Sequence, residues 1–152
     1  MDKQENLWID YSRENNLLAK WLEFYIVKAI EHYEYTDSAG DYEVENYITK
    51  DHQFLCEVGE WDPFTNYYHL KLIENKFREE FHIGMKQIEY LPNSIKISYW
   101  AEDPNITVID GNTGKEEILL SLLDECEAET EFMAVTTIIL KKVNLKIKEV
   151  VA

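Results

Sequence analysis

SRENNLLAKWLEFYIVKAIEHYEY, residues 12–35, is the stretch on which the fold turns. Leu18, Trp21, Leu22, Tyr25, Ile26, Ala29, Ile30 and Tyr33 recur at helical spacing, while Glu14, Lys20, Glu23, Lys28 and Glu31 lie mostly off that stripe. The spacing predicts one helix from Ser12, as N-cap, to Tyr35. At ~1.5 Å per residue it would run about 35 Å, enough for a sheet face to pack along it. Its large aromatics read as core residues, so Trp21 and Tyr25 receive no functional role.

Outward from this stretch, Met1 to Tyr11 reads as a short lead-in whose Leu7, Trp8 and Ile9 pack down or pair at a sheet edge. Downstream, Thr36 to Asp41 is turn-forming, and Tyr42–Ile48 and Phe54–Val58 alternate as two strands of a hairpin. Asp62-Pro63 opens a second helix with Leu70, Ile73, Phe77 and Phe81 buried and Gly84 as C-cap. Met85–Leu91 and Ser94–Ala101 flank the turn pair Pro92-Asn93, and Ile106–Ile109 makes a short strand. Thr113 and Glu116 have capping-box spacing for a third helix, Gly114–Ala128, burying Leu119, Leu122, Leu123 and Cys126. Thr130–Leu140 and Val143–Val151 read as two further strands.

The expected fold is a single acidic α+β domain over residues 1–152. Its order is α-ββ-α-ββ-(β)-α-ββ, an antiparallel sheet of about six strands built from hairpins, with three helices on one face. A chain of 152 residues with 45 % hydrophobic content supports a substantial core. Its apolar runs are too short to span a bilayer, and the polar start MDKQENLWIDYSRE has no signal-like core, so a cytoplasmic site is expected. Cys56 and Cys126, far apart in a chain without an export signal, read as buried free thiols.

The formal net charge is −15, unevenly placed. Between Ala29 and Leu70 ten acids face Lys50 alone, and between Ile97 and Leu140 ten face Lys115 alone, each region netting −9. That balance repels DNA, RNA and anionic membranes, and favours a basic protein partner.

Catalytic and metal motifs are missing. His32, His52, His69 and His82 form no HExxH and no zinc-like spacing with cysteine, so no metal and no cofactor are expected. The loop Asp110 to Glu116 is a calcium-loop near miss, with its glycine one position early and Ser121 where a glutamate belongs. It reads as a turn plus helix cap. With no nucleophile elbow and no activated cysteine context, a non-enzyme is expected.

Two acidic tracts interleaved with aromatics remain as the candidate partner-binding residues. The first holds Asp37, Asp41, Glu43, Glu45, Glu60, Trp61 and Asp62, and the second Asp124, Glu125, Glu127, Glu129 and Glu131. One account is solvated surface over buried rings. The other is docking, with rings as anchors and carboxylates pairing with Arg and Lys of the partner. The second tract is read at a helix C-terminus, where the dipole opposes anions, so its acidity would cost stability. Glu127, Glu129 and Glu131 spaced like phosphates would imitate a nucleic-acid backbone.

The leading expectation is a small intracellular inhibitor that occludes a basic, nucleic-acid-handling protein, as toxin-immunity, anti-CRISPR and anti-restriction proteins do. The size, acidity and helix–strands–helix–strands–helix order are also similar to those of secretion chaperones. That resemblance implies a homodimer offering apolar grooves to an effector segment; the two C-terminal strands depart from its pattern, and no residue carries over. A third reading is an enzyme whose site is dispersed along the chain.

Overall fold

The computed structural model describes residues 11–151, except the side chains of 104–108 and 146–151. The pairing expected of Leu7, Trp8 and Ile9 lies outside the described residues. The described fold is α+β, with three α-helices and six strands. The strands form two separate three-stranded antiparallel sheets, which corrects the single six-stranded sheet. Internal contacts divide the chain into two compact units, Met1–Asp62 and Pro63–Ala152, each taken by itself below.

In the first unit the helix expected over residues 12–35 ends early, because α1 spans only Ser12–Trp21. Glu23 adopts a φ of 63°, and the N–H groups of Glu23 and Phe24 donate back to the carbonyls of Lys20 and Ala19. This is the Schellman arrangement, which closes a helix through one left-handed residue. Beyond it, Tyr25, Ile26, Val27, Ile30 and Tyr33 are aromatic or β-branched, types that fit a pleated ladder better than a helix. They form β1 (Tyr25–Glu34), which pairs along its whole length with β2 (Ala39–Ile48). A third strand, β3 (Phe54–Glu57), joins β2 only between Asn46 and Ile48. A 3-10 turn, Val58–Glu60, leads to Trp61.

This unit's core is aromatic. Phe24 stands edge-on to Trp61 with centroids 5.2 Å apart, and Tyr47 lies 6.1 Å from Phe24. The Tyr47 hydroxyl donates to Asn16 Oδ1 at 3.1 Å and the Trp61 indole N–H to the Asn15 carbonyl at 2.8 Å, which ties α1 to the sheet. Leu18, Ala19 and Cys56 complete the buried set.

In the second unit, α2 (Tyr67–Glu80) begins later than Asp62-Pro63 suggested, with the Asn66 side chain accepting from the His69 N–H at 3.2 Å. Leu70, Ile73 and Phe77 form its buried stripe as expected. The left-handed residue after this helix is His82, at φ 54°, and not Gly84. Gly84 lies instead in β4 (Ile83–Tyr90), where a Cβ would meet Leu120 Cδ2 at 2.5 Å. The strands expected over Ser94–Ala101 and Ile106–Ile109 are one strand, β5 (Ile95–Ile109).

Helix and strand exchange places at the C-terminal end. The segment expected as the third helix is β6 (Glu116–Ala128), and the two expected strands are one helix, α3 (Glu131–Val151). Leu119, Leu122, Leu123 and Cys126 have helical spacing, but β5 supplies a ladder partner from Ile95 opposite Ala128 to Ile109 opposite Glu116. A lone helix of that length is marginal, so the ladder decides. Asp110 to Gly114, with Gly114 at φ 71° and Asp110 Oδ1 accepting the Asn112 N–H at 2.9 Å, is therefore a hairpin turn and caps no helix.

In α3, the Thr130 hydroxyl accepts the Met133 N–H at 3.2 Å as N-cap, and Ala134, Val135, Ile138, Ile139 and Val143 recur as a buried helical stripe. Both α2 and α3 pack on the sheet face that carries Ile97 and Tyr99, and Phe77 meets Tyr99 edge-on at 5.0 Å. No described helix is long and apolar enough to cross a membrane.

Candidate binding surface

Among the described residues of the first unit, the distal half of the β1–β2 hairpin is largely exposed. Since β3 covers β2 only from Asn46 to Ile48, residues 28–34 and 39–45 form a two-stranded ribbon with no third strand among the described residues. The ladder register sorts its side chains. Val27, Ala29, Glu31 and Tyr33 share one face with Gly40, Tyr42 and Val44, while Lys28, Ile30 and His32 share the other with Asp41, Glu43 and Glu45.

The first face is aromatic. Tyr33 lies 5.6 Å from Tyr35 and 6.1 Å from Tyr42, and its ring covers Gly40, where a Cβ would come within 3.0 Å of the Tyr33 hydroxyl. The Tyr42 hydroxyl donates to Glu31 at 2.7 Å, and that bond together with the Glu31 charge raises the phenol's pKa. Tyr35 is 72 % exposed and Ile30, on the opposite face, 76 %, so large apolar groups stand in water on both sides.

The second face is acidic. Asp41 pairs with His32 at 2.8 Å and Glu43 with Lys28 at 3.5 Å, all four side chains more than half exposed. Exposed pairs of this kind contribute only ~0–1 kcal/mol and exchange readily for other partners. Across Tyr25–Ile48 six carboxylates face Lys28 as the single Lys or Arg, a net −5.

The structure brings only some of the twelve expected residues together. Asp41, Glu43 and Glu45 line one face of β2, and Asp37 sits in the bend between β1 and β2. Glu60 lies in the 3-10 turn, its carboxylate accepting the Glu57 N–H at 3.1 Å, with Asp62 two residues on. Trp61 is 2 % exposed and hydrogen-bonded inward, so it is a core residue and not a surface anchor.

The second tract belongs to the other unit, and most of it is engaged locally. Asp124 faces Lys141 at 3.4 Å, Glu125 faces Lys96 at 3.5 Å and Glu131 holds Lys86 at 2.8 Å, while Glu127 and Glu129 are exposed. Glu131 is thus turned into an ion pair and does not continue a row with Glu127 and Glu129. This tract runs from β6 to Glu131, the first residue of α3, and at that end the helix dipole favours anions; the expected dipole penalty is therefore reversed in sign there.

One polar cluster escaped the sequence reading. Glu74 is buried on α2, its Oε2 accepting from the Tyr99 hydroxyl at 2.6 Å and facing Lys86 Nζ at 2.7 Å, with Lys71 Nζ 3.0 Å from Oε1. Burial works to raise its pKa, but the bonds from Lys86 and Tyr99 and the Lys86 charge outweigh it and hold the carboxyl at about 2. The signal was present: Glu74 falls on the stripe of Leu70, Ile73 and Phe77, where an apolar residue is expected. With every strong group matched internally, this cluster reads as a structural brace.

Both cysteines are free, and burial pushes the Cys56 thiol up to about 11. No group of three or more His, Cys, Asp or Glu among the described residues is placed to hold a metal. Comparison with protein-family models, with curated proteins and with solved structures finds no match for this chain.

Proposed function

We propose that this protein is a small acidic binding protein that occludes a basic, nucleic-acid-handling protein, and that the β1–β2 hairpin is its contact surface. One observation carries the reading: a ribbon with no third strand among the described residues exposes Ile30, Tyr33, Tyr35 and Tyr42 beside a net charge of −5. Isolated hairpins are marginal in water, and exposed clusters of large apolar groups mark interaction sites. Aromatic anchors next to carboxylates suit a partner surface rich in Arg and Lys, of the kind that otherwise holds phosphates. The test is capture from lysate of the source cells on the immobilised chain, washed at low and then high salt. A basic nuclease-type protein retained at low salt, released at high salt and inhibited by the chain supports the reading. Salt-insensitive retention, or capture of no basic protein, overturns it.

A second reading, a secretion-chaperone-like dimer, gains support from the observed order of elements. With α3 in place of two strands, the chain runs helix, three strands, helix, three strands, helix, and the departure noted from the sequence disappears. Sedimentation separates the two: a stable dimer favours the chaperone, and a monomer favours the inhibitor.

A further inference from the structure

The outer edge of β2 ends its pairing at Asn46, where β3 stops, and no described strand covers it from Ala39 to Glu45. Along this edge two patterns coincide. On one face Asp41, Glu43 and Glu45 stand at every second position, about 7 Å apart at strand spacing. On the other, Tyr42 and Val44 alternate with them. An unpaired edge is a template for another strand, and side chains directly opposite on adjacent strands come within ~5 Å.

We propose that β2 receives an extended segment of the basic partner as an added strand along Ala39–Glu45, in line with β3. Its Lys or Arg residues at alternate positions would face Asp41, Glu43 and Glu45, and its apolar residues would face Tyr42 and Val44. Backbone bonds to the edge supply affinity in this mode, and the alternating rows supply selection. A second copy of the chain is a poor occupant, because each hairpin brings the same net −5 and like charges directly opposite are destabilising. This inference rests on the reading of the hairpin as a contact surface for a basic protein, and adds the form that the partner must present.

The probe is a nonapeptide of alternating lysine and valine, titrated into the full chain with amide chemical shifts recorded. Two controls carry it: the same peptide with proline at its central valine, which keeps the charge and breaks the strand, and an alternating glutamate–valine peptide. Shifts concentrated on residues 39–45, lost with the proline and glutamate peptides and weakened about tenfold in E43Q/E45Q, support the proposal. Equal binding of the proline peptide, shifts centred on β1 or on Pro63–Ala152, or no binding at millimolar peptide overturns it. So does a free chain that already self-associates through this edge. If a basic protein is captured from lysate but the lysine peptide does not displace it, strand addition fails while the contact-surface reading stands. Capture of no basic protein sinks the contact-surface reading, and the inference that rests on it falls too.

Discussion

Replacing Glu74 by Gln tests the buried brace of the second unit. Its carboxyl falls from an ordinary value of 4.5 to about 2 in the folded protein. A shift of that size corresponds to about 3 kcal/mol of stability. Because the folded value is the lower one, that stability is complete above the unfolded pKa and is lost as pH falls from about 5 toward 2. In E74Q, Lys86, whose side chain is 8 % exposed, loses the Glu74 charge and keeps that of Glu131, and Tyr99 loses its anionic acceptor. Removing one member of a buried pair costs ~3–5 kcal/mol, so E74Q is expected to lose that much at neutral pH. At about pH 3 the deficit narrows, since the parent is then losing the same contribution. Urea unfolding followed by circular dichroism at both pH values measures the two numbers. A neutral-pH loss below ~1 kcal/mol, or a deficit that does not change between the two, would refute the account.

Three further outcomes follow from the local geometry. Glu23, left-handed at φ 63°, sits where glycine is ordinarily preferred, so E23G should raise stability by about 1 kcal/mol in urea titration. Loss of the Thr130 N-cap in T130A should cost ~1 kcal/mol and fray the first turn of α3, visible as faster amide exchange there. Cys56, buried with its pKa near 11, should react with a disulfide reagent near neutral pH far more slowly than a free peptide thiol, and its rate should rise tenfold per pH unit up to about 11. A fast reaction at neutral pH would mean that the first unit opens around β3.

What was legible in the chain divides according to how far each residue's partners lie. α2 was readable because Leu70, Ile73 and Phe77 form a stripe in a segment whose one β-branched residue is Ile73, and the β4–β5 hairpin because Pro92-Asn93 marks its turn. Residues 22–35 misled because an apolar run rich in Tyr and Ile satisfies helical spacing and strand pairing alike. Glu23 in a left-handed conformation has no local signature, and the deciding partner, β2, lies a turn away. At the other end, Thr136, Thr137, Ile138 and Ile139 drew a strand assignment on propensity. Ala134, Val135, Ile138, Ile139 and Val143 are nevertheless a helical stripe, and Thr136 fits by donating its hydroxyl to the Phe132 carbonyl at 2.6 Å. Of the candidate surface, the acids of β2 were legible as charge. Their alignment on one face and the burial of Trp61 depend on the ladder and the core, which charge counting does not see.

The two-stranded ribbon also sets a rhythm for its own backbone. In an antiparallel pair successive residues direct their N–H groups alternately toward the neighbouring strand and away from it. Between Ala39 and Glu45, β1 therefore shields every second amide of β2, and those between them meet no described strand. Amide protons of the free chain should consequently exchange in a two-residue rhythm over this segment, fast and slow in turn. At Asn46, the first residue of β2 to pair with β3, the rhythm should end, since both sides of the strand are then occupied. The point at which alternation gives way to uniform protection is thus a ruler drawn along β2, marking how much of the strand the fold closes on its own and how much it leaves open.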